Sequence, residues 1–120
     1  MAHILIIDDS PTDAYLVKNM LESQGYQTTE ASNGEEGIQK AKDIKPNLII
    51  MDVVMPGLNG FQATRKITKS PETSHIPVVI VSSKNMESDK AWGIMQGAKD
   101  FLVKPVEQKQ LLDVVKKLLS

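Results

Sequence analysis

Three stretches of this chain are continuous apolar runs closed by a polar residue: His3–Asp9 (HILIIDD), Asn47–Asp52 (NLIIMD) and Ile76–Ser82 (IPVVIVS). A strand with one wet face alternates apolar and polar residues. A strand without alternation is covered on both faces, the condition of a parallel sheet clothed by helices on each side. None of the runs is long enough to cross a bilayer. The chain is thereby narrowed to layered α/β architectures.

The segments between the runs carry helical spacing and its punctuation. Ser10-Pro11 reads as a cap followed by a first helical residue, Ala14, Leu16, Val17, Met20 and Leu21 fall on one helical face, and Gly25 supplies a stop. Tyr26–Ala31 is a more polar strand, as expected nearer a sheet edge. Asn33-Gly34 reads as a turn, and Glu35–Lys45 as a helix closed by Pro46. Val53–Asn59, with Pro56 and Gly57, reads as a loop and Gly60–Lys69 as a helix, followed by a polar connection over Ser70–His75. Met86–Gln96 is a further helix, whose apolar face would be Ala91, Ile94 and Met95 with Ala98 beyond. Asp100–Lys104 is a short strand and Glu107–Leu119 an amphipathic helix. Strand-plus-helix units recurring about every 20 to 25 residues predict a five-stranded parallel sheet with helices on both faces. The simplest arrangement is a flavodoxin-like, doubly wound (βα)5 sandwich forming one domain over residues 1–120.

Charge and composition then exclude several function classes. Fourteen Lys and Arg against 15 Asp and Glu leave a net charge of −1, with no basic balance for gripping a nucleic-acid backbone. The absence of cysteine removes disulfides, thiol nucleophiles and thiolate metal sites. No export signal opens the chain, so a cytoplasmic location without membrane insertion is expected.

Doubly wound sheets bind ligands beyond the carboxyl ends of their strands. At those ends stand Asp8 and Asp9, Asp52, Ser82, and Lys104 followed by Pro105. Any one of them could be an ordinary polar loop residue. Together, four strands deliver three carboxylates, a hydroxyl and an ammonium to one rim. Gathered carboxylates repel, so a cation makes sense of them. Mg²⁺ suits such oxygen donors and leaves room for a phosphoryl oxygen. A carboxylate beside Mg²⁺ can also attack phosphorus to form an aspartyl phosphate, with lysine and hydroxyl sharing the charge. Spacing alone does not choose the nucleophile among the three acids.

Asp8-Asp9, Asp52 with Met55-Pro56 and Gly60, Ser82-Ser83, and Lys104-Pro105 resemble the receiver domain of two-component response regulators, over the whole chain. The resemblance implies that Asp52 is the phosphoacceptor for a histidine kinase. It implies a Mg²⁺ site made by Asp8, Asp9, Asp52 and the backbone carbonyl of Val54. Lys104 would contact the phosphoryl group, and Ser82 and Phe101 would form a switch. That switch would alter a face made by the fourth helix, fifth strand and fifth helix, where a downstream protein partner binds. The resemblance also implies a cis Lys104-Pro105 bond and a monomer or weak dimer. Met55–Thr64, Asp89–Gly97 and Asp100–Val106 further resemble stand-alone receivers of type IV pilus (twitching motility) chemosensory signalling. With no effector domain expected, output would pass through a partner, or the chain would act as a phosphorelay intermediate or phosphate sink.

A small aspartate-nucleophile phosphatase is the rival of another class. It would want a second acid two residues past the nucleophile, where this chain has Val54, and a substrate pocket that 120 residues hardly allow. A dinucleotide-binding domain would place a Gly-rich loop where this chain has Asp8-Asp9-Ser10-Pro11. Trp92 lies off the expected apolar face of its helix and is either a partner anchor or a lid over neighbouring apolar residues. Gly93 inside that helix would weaken it by about 1 kcal/mol relative to Ala. His75 reads as a surface loop residue. Val54 and Lys84, beside the expected site, could tune water access or simply be tolerated there.

Overall fold

A computed structural model describes residues 2–120. The elements are β1 (His3–Ile7), α1 (Pro11–Glu22), β2 (Gln27–Ala31), α2 (Gly34–Ile44), β3 (Leu48–Met51), α3 (Gly60–Lys69), β4 (Val78–Ser82), α4 (Glu87–Met95), β5 (Asp100–Val103) and α5 (Gln108–Leu119). All five strands are parallel, in the order β2-β1-β3-β4-β5. This is the doubly wound sandwich expected from the unbroken apolar runs. Among the described residues no helix is long and apolar enough to cross a membrane.

Strand alternation divides the core. Ile4 and Ile6 of β1, Ile50 of β3, Val79 and Val81 of β4 and Leu102 of β5 pack with α1 and α5 through Ala14, Val17, Leu21, Leu111 and Val115. The intervening residues, Leu5, Ile7, Ile49, Met51, Ile80 and Phe101, face the other way with Ala41, Ala63 and Ile67 of α2 and α3. Both layers are dry, so apolar burial on each face supports the sheet.

Local chemistry sets most boundaries. Ser10 caps α1, its Oγ accepting from the Asp13 amide at 3.3 Å, with Pro11 at the first helical position. Asn59 caps α3, and Gln62 returns a bond to the Asn59 amide at 2.9 Å. Asn33-Gly34, expected as a turn, instead begins a helix. Asn33 Oδ1 accepts from the Glu36 amide at 2.8 Å, and Gly34 is the first residue of α2. The Asn-Gly pair is a hairpin signal only between antiparallel strands, and this chain has none among its described residues.

The helix α4 turns opposite to expectation. Its buried residues are Gly93 and the following Gln96, while Ala91, Ile94 and Met95 face solvent, Met95 at 68% exposure; of the expected stripe, Ala98, just past the helix, is buried. Gly93 explains the orientation. A Cβ there would stand 2.9 Å from Ile80 Cδ1 and 3.1 Å from Phe101 Cδ2, so the glycine lets α4 sit closely on β4 and β5. The Gln96 carbonyl accepts from Thr68 Oγ1 at 2.7 Å, tying the end of α4 to α3. Gly93 is thus a packing residue, and the apolar stripe is left outside.

Gly60 makes a second close approach, next to the rim. Its amide donates to the Val53 carbonyl at 2.9 Å, and a Cβ would overlap the Asp52 carbonyl oxygen and lie 2.7 Å from Val53 Cα. Because the obstacle is backbone, it cannot rotate away. Gly60→Ala is expected to lower unfolding free energy by about 3 kcal/mol in urea denaturation. A loss below about 0.5 kcal/mol, the scale of an ordinary surface substitution, would show that the contact yields without cost.

Candidate functional site

The rim is assembled by strand register. Ile7 of β1 pairs with Met51 of β3, so Asp8 and Asp52 leave the sheet side by side. The Asp52 amide donates to the Ile7 carbonyl at 2.8 Å and the Asp8 amide to the Ala31 carbonyl at 3.0 Å, extending the ladder by one step. β1 and β3 flank the point where strand order reverses, the crevice that such sheets use for ligands. On the far side Ser82 pairs with Val103, and the Lys104 amide donates to the Ser82 carbonyl at 2.8 Å. The bond between Lys104 and Pro105 is cis.

One carboxylate oxygen from each of Asp8, Asp9 and Asp52 lies within 4.8 Å of the others. Asp8 and Asp52 are buried, and Asp9 is exposed. Asp8 Oδ1 is engaged by the Ser10 amide at 2.9 Å, while its other oxygen meets Lys104 Nζ at 3.0 Å. Lys104 also contacts Asp52 Oδ1 at 3.2 Å and Asp13 Oδ2 at 2.9 Å. Asp13 is the one member of this network that strand ends did not reveal. Its signal was its place in the first turn of α1, three residues past the Ser10 cap, facing the same rim.

Burial and the neighbouring Asp8 charge push the Asp52 carboxyl up from 3.8 to about 6, against the opposing pull of Lys104. Burial works to lower the Lys104 ammonium, but hydrogen bonds to Asp13 and Asp8 and the charges of Asp52 and Asp8 outweigh it, and its pKa rises. Lys104 therefore stays charged while its compensation is spread over three acids. The cluster keeps uncompensated negative charge around Asp52. Its oxygen-only donors, with two carboxylates fixed by buried backbone, fit a hard divalent cation.

The remaining expected residues lie around this cluster. Ser82 is fully buried, and its Oγ accepts from the Lys84 amide at 3.1 Å. Phe101 is buried on the α4 side of the sheet against Gly93. The Val54 side chain is exposed beside the site, and Lys84 is also exposed. Trp92 is 49% exposed on α4, and His75 is an exposed loop residue.

The raised Asp52 pKa has a direct consequence for stability. Below 3.8 the carboxyl is protonated in both folded and unfolded chains; between 3.8 and about 6 only the folded chain holds the proton. Stability from this group is therefore present at low pH and lost as pH rises through about 6. Without divalent cations, Asp52→Asn is expected to be about 2 kcal/mol more stable than the wild type at neutral pH. The difference should shrink as pH falls toward 3.8, as followed by denaturant unfolding across pH. Equal stability at neutral pH would contradict the charge frustration at Asp52.

Comparison with known proteins places this geometry. The response regulator receiver domain model matches residues 4–116. The chain is 53% identical over 120 residues to the protein PilH of Pseudomonas aeruginosa, covering 100% of this chain and 99% of that one. Among solved structures, the chemotaxis protein CheY4 of Vibrio cholerae superposes with a TM-score of 0.92 at 29% identity, covering 99% of both chains. The receiver domain of the sensor histidine kinase PA1611 of Pseudomonas aeruginosa, solved with a magnesium ion coordinated in its active-site cleft, gives 0.91 at 25% identity, covering 98% of this chain and 97% of that one. The matched span runs from the first strand to the last helix and includes every rim residue, and the chain accordingly belongs to the response regulator receiver family.

Proposed function

We propose that this chain is a stand-alone phosphorylation-controlled switch in chemosensory signalling, within type IV pilus (twitching) motility. The pathway assignment rests on the full-length likeness to PilH. The observation that carries the chemistry is the meeting of Asp8, Asp9 and Asp52 within 4.8 Å, with Lys104 at 3.2 Å from Asp52.

In this reading an Asp52 carboxylate oxygen attacks the phosphorus of a partner kinase's phosphohistidine. The new P–O bond forms as the P–N bond breaks, and the leaving imidazole takes up a proton. Asp8, Asp9, Asp52 and the Val54 carbonyl would hold Mg²⁺, which neutralises peripheral phosphoryl oxygens when bound. Lys104 supplies a second positive charge beside the reacting carboxylate. Its three acidic neighbours keep it protonated. Burial of Asp52 limits the approach of water to its carboxylate, and the neighbouring Val54 and Lys84 are exposed residues that would tune that access.

Ser82 and Phe101 connect the rim to the surface. Ser82 is the last residue of β4, on the same face of the sheet as Ile80 and Phe101. A phosphoryl group drawing on the Ser82 hydroxyl would change the packing that Phe101 and Gly93 share under α4. The outer surface of α4 is where a downstream protein would read the change. Trp92 and Ile94, each 49% exposed, and Met95 present apolar area that a monomer leaves wet. Exchange of phosphoryl groups onward to another histidine, or their loss to water, would use the same site in a relay or sink.

The test is incubation with a small acyl-phosphate donor and Mg²⁺, followed by intact mass. One phosphoryl adduct is expected on the wild type. None is expected on Asp52→Asn or in the presence of a chelator. An unmodified wild type, or an adduct that persists in Asp52→Asn, would refute the assignment.

A further inference from the structure

Lys104 continues the alternation of β5 toward the α1 side of the sheet, and three carboxylates receive its ammonium there. Asp13 Oδ2 lies at 2.9 Å, Asp8 Oδ2 at 3.0 Å and Asp52 Oδ1 at 3.2 Å. An ammonium has three protons to donate, so these contacts use its whole capacity. Two of the partners belong to the cluster able to hold a cation, and Asp13 does not. Asp13 stands in the first turn of α1, where the helix N-terminus favours negative charge. It is also the wet member of the set, its side chain 40% exposed against 6% for Asp8 and 7% for Asp52.

A cation entering among Asp8, Asp9 and Asp52 draws on oxygens that hold Lys104, and it repels the ammonium. Lys104 and the cation therefore compete for Asp8 and Asp52. Asp13 offers the ammonium an acceptor outside that competition. Resting on the reading of the rim as a Mg²⁺ site, we propose that Asp13 is a positioning residue. It draws Lys104 off Asp8 and Asp52 as Mg²⁺ enters and keeps the ammonium beside the reacting carboxylate. Without the Asp13 charge, Lys104 falls back on the two cation ligands and resists the ion. The contact is short and lies at the solvent edge, so the ammonium can pivot on it without leaving the rim.

The experiment is calorimetric titration of Mg²⁺ into the full chain carrying Asp13→Asn or Asp13→Glu, each alone and combined with Lys104→Gln. Asp13→Asn is expected to weaken Mg²⁺ binding roughly three- to fivefold, the scale of one partly exposed ion pair. Asp13→Glu should restore most of the affinity. In the Lys104→Gln background Asp13→Asn should change nothing, because the coupling runs through the ammonium. The Lys104 Cε resonance should also shift in Asp13→Asn before any Mg²⁺ is added. Unchanged affinity in Asp13→Asn overturns the role. So does an equal loss with and without Lys104, which would mean that Asp13 attracts the ion directly. A wild type that binds no Mg²⁺ overturns the reading of the rim together with this proposal. Normal wild-type binding with an indifferent Asp13→Asn removes only the role of Asp13.

Discussion

The structure turns on the Lys104 ammonium and the acids that share it. Parallel strands must end side by side, and here two central ones end in carboxylates that register forces together. One cation, divided among Asp8, Asp13 and Asp52, makes that crowding tolerable. It does not make it comfortable, because burial and Asp8 still push Asp52 upward. A site held in this condition has a standing affinity for added positive charge.

The rest of the molecule serves the placement of those groups. Two dry layers pin β1, β3 and β4 from both faces, so the rim atoms inherit the rigidity of the sheet. Gly60 lets α3 begin directly behind Asp52, and the Asn59–Gln62 capping box fixes where it begins. Gly93 does the equivalent for α4 over Phe101. The two glycines thus bring one helix to the back of the rim and another to the residue that could carry its state to the surface. The α4 helix is short; the Asp89 carboxylate accepts from the Met86 amide at its start at 3.2 Å, and Thr68 holds the Gln96 carbonyl at its end.

Most of the fold was legible because its signals are local and strong. Continuous apolar runs name buried parallel strands, and Ser10-Pro11 names a helix start. The rim was legible because residues that follow a parallel strand must lie at its carboxyl end, which placed Asp8, Asp9, Asp52, Ser82 and Lys104 from strand pattern alone. The failures depended on tertiary context. The apolar stripe of Ala91, Ile94 and Met95 promised a buried face, but the missing Cβ of Gly93 permitted a closer contact on the opposite side. Hydrophobic spacing cannot weigh one against the other. Asn33-Gly34 was ambiguous for a similar reason, since the same pair makes a hairpin turn before a strand and a cap before a helix. Asp13 escaped because it is a helix residue, and only the side of the sheet to which Lys104 points makes it part of the rim.

In the proposed function the rim is one electrostatic unit poised for a cation and for chemistry at Asp52. Its most direct measurement is the titration of the Asp52 side-chain carboxyl carbon by NMR, with and without Mg²⁺. A midpoint near 6 is expected in the metal-free protein. Mg²⁺ is expected to move the midpoint below the ordinary aspartate value of 3.8. A midpoint at the ordinary value in the metal-free protein, or one that Mg²⁺ leaves in place, would contradict this reading of the rim.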